Sequence, residues 1–533
     1  MMTMKMMAIQ IGKDKEMEEL QINKKCFATL GARRQANVSL HISQRKSKHS
    51  LTSSYMKDTK SEFTNGMYVF NKTVRGKMHE LKERPCEDWS DSFAEENGKY
   101  YIAIVADGHG SNECFLSRIG SKIAVDTALE ALKSFATSVD AEIEAATVTE
   151  TAATTDDNIK QLCNKHSLDS MLNSMLRPLT TYIVSQWRNE VELHYNSLLE
   201  ATKDTDSSTD LGNDLKQIVG YPFSEAELQE IKNSKDKIVN PSSIYGTTLI
   251  AALWLLNKYL IIIHQGDGRC DVFFDDGEVK QPVPWDPRCM GTAVTSMCDE
   301  DAANRIRCCV INLLSETGKE YQESEKQKKV IACYLGSDGV EDAYRDSYDE
   351  KQENCIGSME GVHTFYKDIT CRIVEKGPDK FKSYLAEMLP EFSDTGKFSN
   401  TGSGDDVSVA GIVNILAVQN HIRDYEREIR IYELEEMLFW KEEELRSKMR
   451  KHGILKNRLD DAKGELVKIE DSILASKEKI RLAREKFDEA QKKFTDYDTN
   501  YQRIDNECKQ IKSEIEKVLN SKIEDSKVNN ALA

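Results

Sequence analysis

The chain has 533 residues, which is enough for two or three domains with hydrophobic cores of ordinary size. Hydrophobic residues make up 39% of it, charged residues make up 31%, and the formal net charge is -17. This balance is typical of a soluble protein with a highly charged helical segment, and so acidic a chain is a poor match for nucleic acid. We therefore expect no nucleic acid among its partners.

The cysteines and the apolar stretches indicate the cellular compartment in which the protein is expected. The 13 cysteines contain no CxxC pair, and Cys308 and Cys309 are adjacent, which is not the spacing of a structural zinc site. The N-terminus has no signal-peptide pattern, and the longest apolar stretch, about 248–263, is interrupted by Asn257 and Lys258 and is too short for a bilayer span. We therefore expect a cytoplasmic protein with reduced thiols and no membrane contact.

The first 65 residues are polar and show no sustained period of two or of 3.6. They include a basic run at Arg45, Lys46 and Lys48 among many serines and threonines. Such a segment cannot bury enough apolar surface to fold, so residues 1–65 are predicted to be a disordered tail.

Residues 66–416 have the pattern of a mixed domain of helices and strands. Short apolar runs alternate with turn signals such as Asp275-Asp276-Gly277, and consecutive short strands joined by hairpins favour antiparallel sheets over a doubly wound parallel sheet. The strands predicted in this way lie at 100–106, 248–256, 259–265, 269–274, 278–283, 330–335 and 407–413.

Helices are predicted between these strands. Apolar spacing indicates helices over 114–135 and 168–199, and Pro178 is expected to kink or interrupt the second. Residues 136–158 are rich in Ala, Thr and Glu and indicate a flexible excursion. The segment 136–240 is therefore expected to be an insertion, part helical and part of low complexity.

The chain changes character after residue 416. From Leu459 to Val518, apolar or small residues recur at steps that alternate strictly between three and four, the seam of a left-handed coiled coil. A shorter helix over 422–449 precedes it, with a break expected at Gly453. A coiled coil is predicted over 417–525, followed by a tail over 526–533. So long a seam needs a second helix, which leaves self-association, a partner helix and an intramolecular hairpin as alternatives.

Aspartates recur at the ends of the predicted strands. Asp107, Asp267 and Asp338 each follow a buried strand, and Asp405 comes just before one. Carboxylates at strand ends can converge on one rim of a sandwich, where divalent cations such as Mg²⁺ or Mn²⁺ relieve their repulsion. One Asp beside a Gly is ordinary turn chemistry. Four of them, with His109 two residues after the first, indicate a metal site.

Over about residues 66–416 the sequence resembles the metal-dependent protein phosphatase family (PPM, type 2C-like serine/threonine phosphatases). The resemblance rests on six motifs in order: RPCEDW (84–89), VADGHGS (105–111), YGTTL (245–249), QGDGR (265–269), GSDGVED (336–342) and GDDVSV (404–409). The family fold is an antiparallel β-sandwich flanked by helices. The expected fold class is therefore α+β, with this sandwich followed by a long C-terminal coiled coil.

The resemblance implies a site for two Mn²⁺ or Mg²⁺ ions, with room for a third. Carried over motif by motif, Asp107 would bridge both ions and the carbonyl of Gly108 would bind one of them. Asp338 and Asp405 would hold the other ion.

Four further carboxylates are assigned by the same resemblance. Glu87 would meet the site largely through water, and Asp88 would stand behind the ligands. Asp267 and Asp342 would suit the third, weaker metal position.

The resemblance also implies a reaction. A hydroxide bridging the two metals would attack the phosphomonoester of a phosphoprotein substrate, and His109 would protonate the leaving serine or threonine oxygen. Arg84 or His79 would contact the phosphate, and the motifs do not decide between them.

The expected function is therefore a metal-dependent serine/threonine phosphoprotein phosphatase. In many relatives the phosphate-binding arginine lies four residues before the motif glutamate, whereas Arg84 lies three before Glu87. This shift and the long helical segment favour an alternative, a catalytically weak phosphatase-like scaffold that acts through its coiled coil.

Overall fold

The structure is a computed structural model that describes residues 61–64, 66–82, 84–150, 157–201, 240–289, 293–313, 328–344, 347–349, 354–356, 359–394, 404–472 and 476–532. Most of the predicted tail 1–65 lies outside these residues, but residues 61–64 form a strand. Part of the predicted insertion, 202–239, also lies outside them. The last helix continues through most of the predicted tail 526–533, to Leu532.

Two antiparallel sheets form the centre of the first part of the chain. One has the strand order β1-β2-β13-β10-β7-β8 and the other β3-β4-β5-β6-β9, while β11 and β12 form a separate pair. The strands are β1 Ser61–Thr64, β2 Met67–Val74, β3 Trp89–Ala94, β4 Tyr100–Ala106, β5 Leu249–Leu255, β6 Tyr259–Gln265, β7 Arg269–Phe274, β8 Val279–Lys280, β9 Arg307–Asn312, β10 Val330–Gly336, β11 Ser347–Asp349, β12 Asn354–Ile356 and β13 Val407–Asn414.

The central strands are apolar throughout because both of their faces are buried. Side chains alternate between the faces of a strand. On β4, Tyr101 and Val105 lie in the core between the two sheets, while Ile102 and Ile104 lie in a second core against helices. The two sheets therefore form a sandwich with an apolar layer between them.

Helices cover both outer faces of the sandwich. The described helices are α1 Lys77–Leu81, α2 Ser117–Glu150, α3 Asp157–Ala201, α4 Ala302–Arg305, α5 Asp338–Asp342, α6 Met359–Asp394, α7 Ile415–Val418, α8 Ile422–Glu470 and α9 Lys477–Leu532. Side chains of α2 and α3 share the second core with the five-stranded sheet. On the six-stranded sheet, Phe381 of α6 packs edge-on against Phe70, with ring centres 5.3 Å apart, and Tyr366 stacks on Tyr334 at 4.9 Å. The predicted fold class, a helix-flanked antiparallel sandwich followed by long helices, is confirmed.

The structure corrects one local prediction and decides against one of two alternatives at Pro178. Helix α2 runs on to Glu150, into the stretch predicted to be flexible, because Ala136 and Val139 continue its buried face. Helix α3 continues through Pro178, where a break was one of the two expectations, and Leu176 and Leu179 on either side remain buried in the core. The alternative expectation, a kink at Pro178, remains a prediction.

Contacts divide the described chain into two compact units. The first extends to Tyr366 and includes Arg372–His421, and the second comprises Lys367–Cys371 and the chain from Ile422 onward. No helix among the described residues combines the length and apolar character needed to cross a membrane. The predicted domain boundaries remain predictions.

In the second unit α8 and α9 pair in antiparallel orientation. Ion pairs join Arg430 to Glu514 at 2.6 Å and Arg484 to Glu470 at 2.6 Å, so residue numbers fall along one helix as they rise along the other. The helical hairpin α8–α9 is thus the intramolecular alternative that the sequence left open.

The turn of this hairpin was misplaced by the sequence. Gly453 lies inside α8, and the helix ends instead at Glu470. The three-four spacing passes through this turn without interruption, so the pattern could not reveal it. Seam positions such as Ile504 and Cys508 are buried against the other helix of the same chain. Association with another chain remains a prediction.

The packing of α3 on the sandwich can be tested at Trp187. This side chain is fully buried, and its Nε1 donates to the Gly120 carbonyl of α2 at 3.0 Å. Trp187→Ala should lower the free energy of unfolding by about 3–5 kcal/mol, because it leaves a cavity in the core and removes the hydrogen bond to the Gly120 carbonyl. Leu193→Ala, at an exposed position of the same helix, should cost less than about 0.5 kcal/mol. Urea unfolding followed by circular dichroism would compare them, and equal losses would contradict this packing.

Candidate metal centre

Three loops from distant parts of the chain meet at one edge of the sandwich. Asp107 follows β4, Asp338 follows β10, and Asp405 precedes β13. Strands β10 and β13 are antiparallel neighbours, so the end of one lies beside the start of the other, with Gly336 opposite Val409. The topology therefore places these loops together.

The carboxylates of these loops are in direct contact. The side chains of Asp107 and Asp338 are within hydrogen-bonding distance, and Asp88 is hydrogen-bonded to Asp107. Carboxylate oxygens of Asp338, Asp342 and Asp405 all lie within 4.8 Å of one another. The structure thus brings together five of the residues that the sequence assigned to a metal site.

Glycines permit the close approach of the loops. A Cβ on Gly76 would lie 2.3 Å from the carbonyl carbon of Asp405, and one on Gly339 would lie 2.0 Å from the carbonyl oxygen of Asp406. Any larger residue at either position would push the loops apart, which accounts for the glycine beside Asp338.

The YGTTL motif, to which the sequence assigned no role, anchors Asp107. The Asp107 carbonyl accepts hydrogen bonds from the Thr248 amide at 2.8 Å and from the Thr247 hydroxyl at 2.7 Å, and its amide donates to the Thr248 hydroxyl at 3.0 Å. These bonds tie the loop after β4 to the start of β5. The backbone at Asp107 is consequently fixed, and its carboxylate is held against those of Asp88 and Asp338.

Asp406 is the organising residue that sequence reasoning missed. Its buried carboxylate accepts hydrogen bonds from the amides of Gly76 and Glu87, both at 2.6 Å, and lies 2.8 Å from Nδ1 of His79. One side chain therefore positions the loops that carry His79, Glu87 and Asp405. Its place in GDDVSV, beside the predicted ligand Asp405, was a signal, but only burial separates the role of Asp406 from that of Asp405.

Glu87, Arg84 and His79 lie in the segment between β2 and β3, with His79 on helix α1. Arg84 donates to the Glu87 carboxylate at 2.7 Å and to the Gly110 carbonyl at 2.6 Å. His79 Nε2 lies 3.9 Å from Glu87 and 3.8 Å from Asp405, so it faces the carboxylates. Arg84 is the more accessible of the two cations, with 28% of its side chain exposed against 11% for His79.

Burial and mutual repulsion keep protons on this cluster. Burial raises the pKa of Glu87 to about 7, while Arg84 and His79 act to lower it. Burial and the charges of Asp406 and Asp405 raise the pKa of Asp88 to about 8. The pKa values of Asp107 and Asp338 are also raised well above the usual range by burial and by neighbouring carboxylates.

Asp267 belongs to the same electrostatic group. Burial raises its pKa, and the charges of Glu341 and Asp405 add to this, while Arg269 opposes them. Arg269 in turn makes a two-pronged ion pair with Glu341, at 2.5 and 2.6 Å. This pair, also missed from the sequence, connects the start of β7 to helix α5.

His109 is placed differently from the carboxylates. Its amide donates to the Gly246 carbonyl at 3.0 Å, and its ring lies against Gly246. Burial lowers the pKa of His109, and the Asp299 carboxylate acts to raise it. The imidazole is thus half-buried on the loop that carries Asp107, with its ring against Gly246.

The donor set suits hard divalent cations. Oxygen ligands on several clustered carboxylates are what Mg²⁺ and Mn²⁺ prefer. Among the described side chains, Oε2 of Glu87 and Oδ2 of Asp88 are buried without a hydrogen-bond partner. Buried oxygens of this kind are costly unless they are protonated or paired with a cation. The residues therefore fit a metal centre.

Residues 75–376 match the sequence model of the family described as Protein phosphatase 2C. The chain belongs to the protein phosphatase 2C family. Membership makes it a metal-dependent protein phosphatase, a hydrolase that acts on phosphoproteins. No curated protein matches the chain.

Solved structures similar to this family member share little sequence with it. RsbX in complex with magnesium is 12% identical, covers 67% of this chain and 98% of its own, and has a TM-score of 0.27. The photosystem II phosphatase PBCP is 12% identical over 65% of this chain and 98% of its own, with a TM-score of 0.31. A phosphatase from a pathogenic strain of Toxoplasma gondii is 11% identical over 67% and 94%, with a TM-score of 0.28.

The raised pKa values predict a pH-dependent response to metal. Without metal, a group whose pKa is raised on folding stabilises the fold at low pH, and this contribution is lost as pH rises through about 7 and 8, the pKa values of Glu87 and Asp88. Each such group changes the unfolding free energy by about 1.4 kcal/mol per pH unit at most. Cations favour the ionised carboxylates, so stabilisation by Mn²⁺ should be larger at pH 8 than at pH 6.

Thermal unfolding in EDTA and in excess Mn²⁺ at the two pH values measures this difference. Asp276→Asn, at an exposed hairpin turn, should leave the response intact, whereas Asp338→Asn should reduce it. An equal gain from Mn²⁺ at pH 6 and pH 8 would show that these carboxylates do not titrate as described.

Proposed function

We propose that this protein is an active serine/threonine phosphoprotein phosphatase that requires Mn²⁺ or Mg²⁺. The observation that carries the proposal is the meeting of Asp107, Asp338 and Asp405, which come from three separate loops and form one carboxylate cluster. A scaffold that only recognised phosphorylated partners would have no need to hold repelling carboxylates in contact.

The residues that would hold two ions are Asp107, the Gly108 carbonyl, Asp338 and Asp405. Glu87 would contribute through water, and Asp88 would support Asp107 through their hydrogen bond. When bound, divalent cations lower the pKa of coordinated water and neutralise charge on phosphoryl oxygens.

A third position would be formed by Asp342 with Asp267. Asp342 shares its oxygen cluster with Asp338 and Asp405, and Asp267 raises the pKa of Asp338 by its charge. Asp342 is exposed, so this position would exchange its ion with solvent more readily than the other two.

Between the two candidates for phosphate binding, the contacts favour Arg84. Its guanidinium is partly exposed beside Glu87 and Gly110 and has further donors for an incoming phosphoryl oxygen. His79 is tied to the buried Asp406 by one ring nitrogen and faces Glu87 and Asp405 with the other. We propose that His79 positions the ligand carboxylates and that Arg84 binds phosphate.

His109 is proposed as the general acid for the leaving oxygen. It lies two residues after Asp107 on a loop that is anchored at Thr247 and Gly246. Burial lowers its pKa, so its protonated form needs a nearby negative charge, and a phosphoryl dianion in the site would supply one. The proton would then pass from the imidazole to the serine or threonine oxygen.

A cytoplasmic location is proposed on the state of the thiols. Cys270, Cys289 and Cys333 are buried thiols outside any disulfide, and the sulfur atoms of Cys270 and Cys333 lie 3.8 Å apart without a bond. Thiols of this kind persist where the compartment is reducing.

Turnover of p-nitrophenyl phosphate and of a phosphothreonine peptide tests the main proposal. Release of phosphate should require Mn²⁺ or Mg²⁺ and should be abolished by EDTA. Asp107→Ala and Asp338→Ala should each lower kcat at least about a thousandfold, because each removes a carboxylate that would hold a metal ion. Asp276→Ala is the matched control, and the absence of metal-dependent turnover in the wild type would contradict the proposal.

The role of His109 can be separated from that of the metal ligands. p-Nitrophenolate is a good leaving group and needs no proton, whereas a serine alkoxide does. His109→Asn should therefore lower kcat for a phosphoserine peptide by about a hundredfold or more while changing kcat for p-nitrophenyl phosphate much less. Equal losses on both substrates would instead assign His109 a structural role.

A further inference from the structure

An exposed tryptophan lies beside the candidate metal centre. Trp285 is 44% exposed, although a tryptophan side chain gains much by burial. One face of its ring lies on the guanidinium of Arg269, 4.0 Å from the ring centre, and its Nε1 donates to the Cys289 carbonyl at 3.2 Å. The orientation of the indole is thus fixed, and part of its surface remains open to solvent.

The loop that carries Trp285 is held by buried charge. Asp286 is 1% exposed and binds Arg288 through both carboxylate oxygens, at 2.8 and 2.7 Å. Arg307 donates to the Pro284 carbonyl on this loop and to the Gly266 carbonyl at 3.2 Å. The loop is therefore fastened to the segment that contains Asp267.

Arg269 connects the tryptophan to the metal loops. It lies two residues after Asp267, and it pairs with Glu341, which stands between Asp338 and Asp342 on helix α5. The exposed indole is consequently connected to the segment that carries Asp338 and Asp342 through two contacts, Trp285 with Arg269 and Arg269 with Glu341.

The charges near the indole are already paired. Arg269 pairs with Glu341, and Arg288 and Arg307 both pair with Asp286. The open surface of Trp285 therefore offers hydrophobic contact, and an ion would gain little there. A rigid exposed aromatic group with no charge to satisfy suits an apolar side chain, above all the flat ring of proline or a leucine.

We propose that Trp285 is a specificity-determining residue that binds a proline or leucine side chain next to the phosphorylated residue of a peptide substrate. This inference rests on the proposed phosphatase function. Covering the open part of the indole with one such side chain corresponds to about a tenfold gain in kcat/KM.

Two phosphothreonine peptides of equal length and charge test the proposal, one with proline and leucine flanking the phosphothreonine and one with alanine at those positions. The wild type should favour the first by about tenfold in kcat/KM. Trp285→Ala should abolish this preference, Trp285→Phe should retain most of it, and turnover of p-nitrophenyl phosphate should stay unchanged in both. Trp440→Ala, at the exposed Trp440 of helix α8, is the matched control and should keep the full preference.

A wild type that hydrolyses both peptides equally would overturn the proposal, as would a Trp285→Ala variant that loses p-nitrophenyl phosphate turnover in the same proportion as peptide turnover. Fluorescence anisotropy with the same two peptides, labelled, decides the case without turnover. If no substrate is hydrolysed, the phosphatase proposal fails. Tighter binding of the apolar peptide that is lost in Trp285→Ala would still support Trp285, and equal binding would reject it.

Discussion

Repulsion between carboxylates is the constraint on which the site depends. Asp107, Asp338 and Asp405 would separate if their loops were free to move, because like charges in a buried setting raise one another's pKa and destabilise the ionised forms. The antiparallel strands β10 and β13 end at the same edge and carry two of these loops, while the hydrogen bonds of Thr247 and Thr248 hold the third. The free energy of folding offsets the repulsion between these carboxylates, and a bound cation would relieve that repulsion.

Asp406 shows how this constraint is met. It is a buried carboxylate whose oxygens accept from two amides and lie beside His79, so its charge is satisfied without a cation. Asp405, its neighbour, faces outward with 45% of its side chain exposed and retains oxygens for an ion. Two adjacent aspartates therefore have opposite tasks, one organising the loops and one available as a ligand.

Strands with a continuous apolar pattern could be predicted from the sequence, and strands interrupted by polar residues could not. Strand β4 was predicted at its observed bounds because both faces are apolar and a turn follows it. Strands β2 and β3 were missed because polar residues interrupt them. Asn71 donates to the Ser90 carbonyl at 3.0 Å and accepts from the Ser92 hydroxyl at 2.9 Å, so these buried polar groups are satisfied only across the two strands. No local pattern records such a pairing.

By itself the sequence determined the periods of its strands and helices, the carboxylates at strand ends and the heptad seam, since each is written in local spacing. Tertiary structure alone decided which of two adjacent aspartates is buried and that Arg269 pairs with Glu341. It also decided that helix α9 folds back on helix α8 after a turn that follows Glu470. The sequence could not show this turn, because the three-four spacing from Leu459 to Val518 runs through it unbroken. These choices depend on contacts between residues far apart in the chain, which a pattern of neighbours does not contain.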